Sequence, residues 1–281
     1  MISDTGARQG SDARRSRMYR INAVVLRRRN LGESDRILTV FGREVGKHRF
    51  VAKGVRRPGS KMAGHSEPFM IAQFLLSRTR SLPIASQAET VRAFPKLRAN
   101  ERAIATAGLI AERVDVLTAE DEPSVAVYGL LESSLDLLDQ GASPDRVQLI
   151  FDMALLREAG FRPGMQSCLE CGAAITPTTN GFHIERGGLV CHNCAGRLSG
   201  VRPVTVEIQK MLRIIDRGDI GQALAVRVNA SLIRQAATLV ADHVTTITGR
   251  DSTASRVIRD LRLEYNYQEP GSGPEGEDEL P

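Results

Sequence analysis

Tryptophan is absent from the 281 residues, and aromatic side chains of all kinds make up only 4% of them. With so few rings, burial falls to Leu, Ile, Val and Ala, and an aliphatic core is expected. The scarcity also bears on recognition, because a surface that stacks nucleobases needs exposed rings. Phe41, Phe69 and Phe74 all have apolar neighbours and read as core residues instead. No stretch approaches the roughly 18 consecutive apolar residues of a membrane span. The first seventeen residues hold Arg8, Arg14, Arg15 and Arg17 without an apolar run, so they are not expected to act as a signal peptide. A cytoplasmic protein with no membrane contact is expected.

Catalytic signatures are equally scarce. Gly42-Arg43-Glu44-Val45-Gly46-Lys47-His48 is one residue short of a phosphate loop between its glycines, and His48 stands where a hydroxyl is required, so a hairpin turn fits better. Gly64-His65-Ser66-Glu67 offers an imidazole and a carboxylate, but there is neither a His-Glu-x-x-His zinc-protease motif nor a nucleophile elbow. The expectation is a binding protein and not an enzyme.

What is present is charge, unevenly placed. The net charge of +5 hides a front segment, Arg17 to Lys61, with thirteen Lys and Arg against Glu33, Asp35 and Glu44. The far end carries Glu269, Glu275, Glu277, Asp278 and Glu279 with no basic residue after Arg262. A cluster of cations on one unit suggests a polyanionic partner. In the strand expected from Lys47 to Lys53, alternation puts Lys47, Arg49 and Lys53 on one face and Phe50 with Ala52 on the other. Arg36 precedes them, and Arg56, Arg57 and Lys61 follow in a Pro- and Gly-containing loop, so these seven cations are the candidate nucleic-acid contacts.

The four cysteines fall as Cys168-x-x-Cys171 and, nineteen residues on, Cys191-x-x-Cys194. This two-knuckle spacing fits one structural Zn2+ held by four thiolates, a closed tetrahedral site that holds shape and leaves no position for substrate. His183 and His192 lie close by but are expected to be bystanders.

Five short runs rich in Val, Ile and Phe, at Tyr19 to Arg27, Asp35 to Phe41, Lys47 to Lys53, Pro68 to Leu76 and Leu82 to Val91, suggest a small barrel. An OB-fold is expected, although an SH3-like barrel or an incomplete sandwich gives similar strings. After Pro95 the apolar spacing becomes helical, over Ala99 to Leu117, Ser124 to Asp139, Pro144 to Ala159, Val204 to Arg217, Ser231 to Thr248 and Ser255 to Glu264. Ser124 and Ser143 suit N-caps, Pro144 a first helical position, and Gly141 and Gly160 C-terminal stops. The expected class is multidomain α+β. It comprises a disordered tail (1–17), an OB-fold β-barrel (18–95), an α-helical domain in two parts (96–166 and 199–267) around a four-cysteine zinc module (167–198), and a disordered acidic tail (268–281).

The string Gly32-Glu33-Ser34-Asp35-Arg36-Ile37-Leu38-Thr39-Val40-Phe41, then Gly46-Lys47 and Ala52-Lys53-Gly54-Val55-Arg56-Arg57, closely resembles the amino-terminal domain of the RecO family. Glu67-Pro68-Phe69, Ala85-Ser86-Gln87-Ala88-Glu89 and Leu155-Leu156-Arg157-Glu158-Ala159-Gly160-Phe161 resemble it in the same order, and the paired cysteines follow where many members place a zinc module. The resemblance implies a DNA repair and recombination mediator that binds single- and double-stranded DNA and anneals complementary strands without ATP. It further implies work with RecR to load RecA onto DNA coated by single-strand-binding protein, at the nucleoid during repair. By it, Arg36, Lys47, Arg49, Lys53, Arg56 and Arg57 lie on or near the DNA path. The Arg-containing stretch before Met18 departs from the family pattern. The alternative is a zinc-ribbon regulator reading duplex DNA, which needs a basic recognition helix that the sequence does not show.

Overall fold

The computed structural model describes residues 17–218, 220–225, 228–249, 254, 256–258 and 260–261. The expected tails at 1–17 and 268–281 fall outside these residues almost entirely, and so does much of the expected helix Ser255 to Glu264, of which 256–258, 260 and 261 are helical.

The front unit has five strands, β1 (Met18–Leu31), β2 (Asp35–Gly42), β3 (Gly46–Ala52), β4 (Ile71–Ser77) and β5 (Ile84–Arg92). Their pairings run β1-β2-β3-β5-β4 and close into a barrel through β1 and β4. All pairings are antiparallel except β3 with β5, which is parallel and covers only Val51↔Ile84 and Ala52↔Ala85. Alternation along the strands sends Ile21, Ala23 and Val25, Leu38 and Val40, Phe50 and Ala52, and Phe74 and Leu76 into one interior cluster. The Phe50 and Phe74 rings meet there at 4.9 Å and 57°. The segment between β3 and β4 adds Val55 and Met62 to this interior cluster, and carries a short 3-10 turn at Ala63–His65.

The second unit begins at once, with α1 (Pro95–Arg98), α2 (Glu101–Leu117), α3 (Val125–Asp139) and α4 (Pro144–Glu158). The Asn100 side chain caps α2 by accepting from the Ala103 N–H, and Ser124 caps α3 through the Val127 N–H. Ser143 occupies the cap position of α4 but makes no side-chain bond there, contrary to expectation. Val24, Leu26, Phe41 and Ile71 from the outside of the barrel join the core of α1 to α4, so barrel and helices share one hydrophobic cluster.

Then come β6 (Asn180–His183), β7 (Gly188–Val190), α5 (His192–Ala195), β8 (Val201–Val204), α6 (Val206–Asp216), α7 (Ile220–Ala225) and α8 (Ala230–Thr248). β7, β6 and β8 form a three-stranded antiparallel sheet. The architecture is thus mixed α+β, with strands at the front and helices behind. No helix among the described residues is long and apolar enough to cross a membrane.

Candidate functional site

The knuckle Cys168–Cys171 sits on the loop after α4, and Cys191–Cys194 runs from the end of β7 into α5. The hairpin β6–β7 brings the second pair to the first, and the four Sγ atoms lie within 4.8 Å of one another. Cys171 Sγ and Cys191 Sγ are 3.8 Å apart, the edge expected of a thiolate tetrahedron with metal–sulfur bonds of about 2.3 Å. The Cys191 N–H points at Cys168 Sγ at 3.3 Å. Burial by itself raises the Cys168 thiol, but backbone N–H groups of Cys171, Cys191 and Glu170 outweigh it and bring the group down to about 6. The Cys194 thiol is instead pushed up to about 12, chiefly by its hydrogen bond to Cys191, then by burial and the other thiols. One thiolate ready at neutral pH beside the resistant Cys194 thiol, in so tight a cluster, is compatible with a metal site, where a cation lets the sulfurs ionise together. Of the two nearby histidines, His183 is buried in β6 and His192 opens α5, and neither belongs to the sulfur cluster.

The centre is tied into the helical core. Cys168 and Cys191 pack in one cluster with Leu149, Met153, Leu212 and Val240. The Asn180 amide donates to the carbonyls of Thr176 and Thr178 and to Gln209 Oε1, and it accepts from the His192 N–H beside the second knuckle. Gln209, on α6, donates back to the carbonyls of Thr178 and Val204. On the other side His243 of α8 bonds the Ile184 carbonyl at 2.6 Å and meets the Phe182 ring edge-on. Asn180, Gln209 and His243 are invisible as a set in the sequence, because their bonds join segments that are far apart along the chain.

The seven candidate cations separate into two groups. Lys47 and Arg49 share an outward face of β3, but Lys47 is covered whereas Arg49 is exposed. Lys47 is only 9% exposed, and its ammonium donates to the Asp115 carbonyl at 2.6 Å with the Asp115 carboxylate at 3.6 Å. Arg49 pairs with Glu120 at 2.8 Å, and His48 with Asp121 at 2.6 Å. The acidic turn after α2 therefore lies along β3, held also by the Asp121 N–H bonding the Lys47 carbonyl. Of the three cations expected along this face, Lys47 and Arg49 are thus paired with acids from the end of α2 and the turn after it. Arg36 is mostly buried, with Glu67 at 3.5 Å.

Lys53, Arg56, Arg57 and Lys61 form the second group. All four are exposed, and none has a carboxylate within ion-pair distance among the described residues. Their loop is nevertheless positioned. Asp35 Oδ1 accepts from the Gly54 N–H at 2.8 Å, while the Arg56 N–H bonds the Ser34 carbonyl and its guanidinium the Gly32 carbonyl. Cations held on a docked loop without carboxylate partners are available to an external anion.

The chain matches two family models, described as Recombination protein O N terminal, over residues 17–94, and Recombination protein O C terminal, over residues 98–256. It is similar to the DNA repair protein RecO of Roseiflexus sp. (strain RS-1), 30% identical over 258 residues that span 92% of this chain and 91% of that one. It is similar also to the DNA repair protein RecO of Bifidobacterium adolescentis, 36% identical over 250 residues covering 88% and 98% of the two chains.

Proposed function

The chain belongs to the RecO family of DNA repair and recombination proteins, and from that premise we propose that it is a recombination mediator acting by binding alone. The observation that carries this reading is the docked loop with Lys53, Arg56, Arg57 and Lys61 exposed and free of carboxylates among the described residues. The strand order β1-β2-β3-β5-β4, with β3 and β5 parallel, supports an OB-fold, a frame used for single-stranded nucleic acid. The loop cations neutralise phosphates of single- or double-stranded DNA, joined by Arg36 and the exposed Arg49, while Lys47 is engaged by Asp115. Holding two strands close lowers their mutual repulsion, while base pairing supplies sequence recognition, so annealing needs no ATP.

In this reading one structural Zn2+ sits in the tetrad of Cys168, Cys171, Cys191 and Cys194, and the units divide at residues 18–95, 96–166, 167–198 and 199–267. RecR and single-strand-binding protein are its partners in the cytoplasm, at the nucleoid, with RecA loaded as the result.

The test mixes complementary strands with zinc-loaded protein, without ATP, over a salt series. Acceleration that fades with salt and is lost in a Lys53→Ala, Arg56→Ala, Arg57→Ala, Lys61→Ala variant is expected. Hydrolysis of the strands, or a strong preference for one duplex sequence, contradicts the mediator reading and favours a nuclease or a duplex regulator respectively.

A further inference from the structure

Strands β1, β4 and β5 lie side by side, and part of their outer surface is left uncovered by the helices, which pack on Val24, Leu26, Phe41 and Ile71. Register sets Arg20, Leu75 and Gln87 in one row across the three strands, and Asn22, Gln73 and Glu89 in the next. The segment around the 3-10 turn folds against β5, where His65 Nδ1 accepts from the Thr90 N–H at 3.2 Å, leaving the ring proton on Nε2. Between this segment and the sheet runs an open groove of about 670 Å³, lined among others by Arg20, Lys61, His65, Gln73, Leu75 and Gln87. Arg20 and Lys61 are exposed, and neither has a carboxylate within ion-pair distance among the described residues.

We propose that this groove binds a single nucleic-acid strand, at a place distinct from the Lys53–Arg57 loop. The proposal rests on the DNA-binding reading above and adds a second contact surface to it. Arg20 stands on β1 and Lys61 beside β5, so a strand crossing the sheet passes over two inter-strand gaps, about 10 Å, with a cation at either side. Leu75 lies midway and seats a base or sugar by apolar contact. Gln73 and Gln87 each carry a donor and an acceptor and so meet the edge of any base, which makes the site tolerant of sequence. The Gln73 amide already donates to Asn22 Oδ1 at 3.3 Å, which turns its carbonyl oxygen toward the remaining partners. Glu89 selects between polyanions: an acidic peptide brings only more carboxylates to it, whereas bases bring amino groups that a carboxylate accepts. With Lys53, Arg56 and Arg57 left to the loop surface and Lys61 shared between the two, one barrel holds two strands at once, which is what annealing requires.

The test uses full-length, zinc-loaded protein and a thymidine oligonucleotide carrying 4-thiothymidine. Crosslinked peptides are mapped by mass spectrometry, and affinity is followed by fluorescence anisotropy. Crosslinks within residues 60–65 and 84–89 are expected, together with an affinity loss of about tenfold in an Arg20→Glu, Gln87→Glu variant whose melting temperature is unchanged. Crosslinks confined to residues 53–57, with the variant binding like wild type, overturn the groove and leave DNA binding by the loop intact. Wild-type protein that neither crosslinks nor binds removes both readings.

Discussion

Lys47 shows how one residue's surroundings decide its role. Its sequence position, in a basic run on a barrel strand, suits a phosphate contact, yet its ammonium is spent on Asp115, sixty-eight residues away. Breaking a buried pair by removing one charge leaves the other uncompensated, whereas an apolar replacement for Lys47 keeps much of its packing. Asp115→Ala is therefore expected to destabilise the fold by roughly 2–4 kcal/mol in denaturant titrations. Lys47→Met is expected to cost less and to leave DNA affinity nearly unchanged; a tenfold affinity loss in Lys47→Met with normal stability would restore it to the DNA path. His243 makes a second residue-scale prediction. Burial holds its imidazole below the usual 6.5, partly offset by the bond to Ile184. The folded state therefore resists the proton that the unfolded state takes up. The stability His243 contributes is fully present above pH 6.5 and is lost as pH falls through the depressed folded value. A His243→Asn variant is expected to lose less melting temperature than wild type between about pH 7.5 and pH 5.5; parallel losses would contradict this.

Elements are legible in the sequence where their signals are local. The expected cap at Ser124 stands three residues before the N–H it accepts from, and strand alternation places Phe50 and Phe74 inside. The end of β1 is hidden because Arg28 to Asn30 is polar and reads as loop; only the pairing of Arg28 to Leu31 with Asp35 to Leu38 makes it a strand. The sheet β6-β7-β8 is hidden because strands of three or four residues carry too little pattern. The tetrad is legible from spacing, but the Asn180–Gln209 link behind it is not. Asn180→Ala is expected to cost about 1–3 kcal/mol, since it leaves Gln209 Oε1 and the His192 N–H without the partner they share. Cys191→Ser is expected to lower bound metal and melting temperature together; zinc-free wild-type protein with an unchanged melting temperature in the variant would remove the metal from the account. Gly46 is the remaining element-scale constraint. It opens β3 at φ +66°, and a Cβ there would run into the backbone carbonyl of Glu122. Gly46→Ala is therefore expected to prise the acidic turn from β3 and to lower stability by more than about 1 kcal/mol.

At the scale of the whole molecule, charge is sorted by position. The acidic turn between α2 and α3 neutralises the cations at one end of the barrel, and there barrel and helices become one body through Val24, Phe41 and Ile71. Lys53, Arg56, Arg57 and Lys61 on the loop after β3, and Arg20 on the outer face of β1, are among the exposed cations without a carboxylate partner among the described residues. The net charge of +5 does not disclose this division, because pairing across the fold depends on which acids the topology brings to β3. The most direct test of the central claim is the slope of log affinity for single-stranded DNA against log salt, in wild type and in a Lys53→Ala, Arg56→Ala, Arg57→Ala variant. Each phosphate that the variant no longer neutralises should flatten the slope by about 0.7, so a reduction of roughly 2 is expected. A slope unchanged in the variant, or flat already in wild type, would contradict an electrostatic DNA surface on this loop.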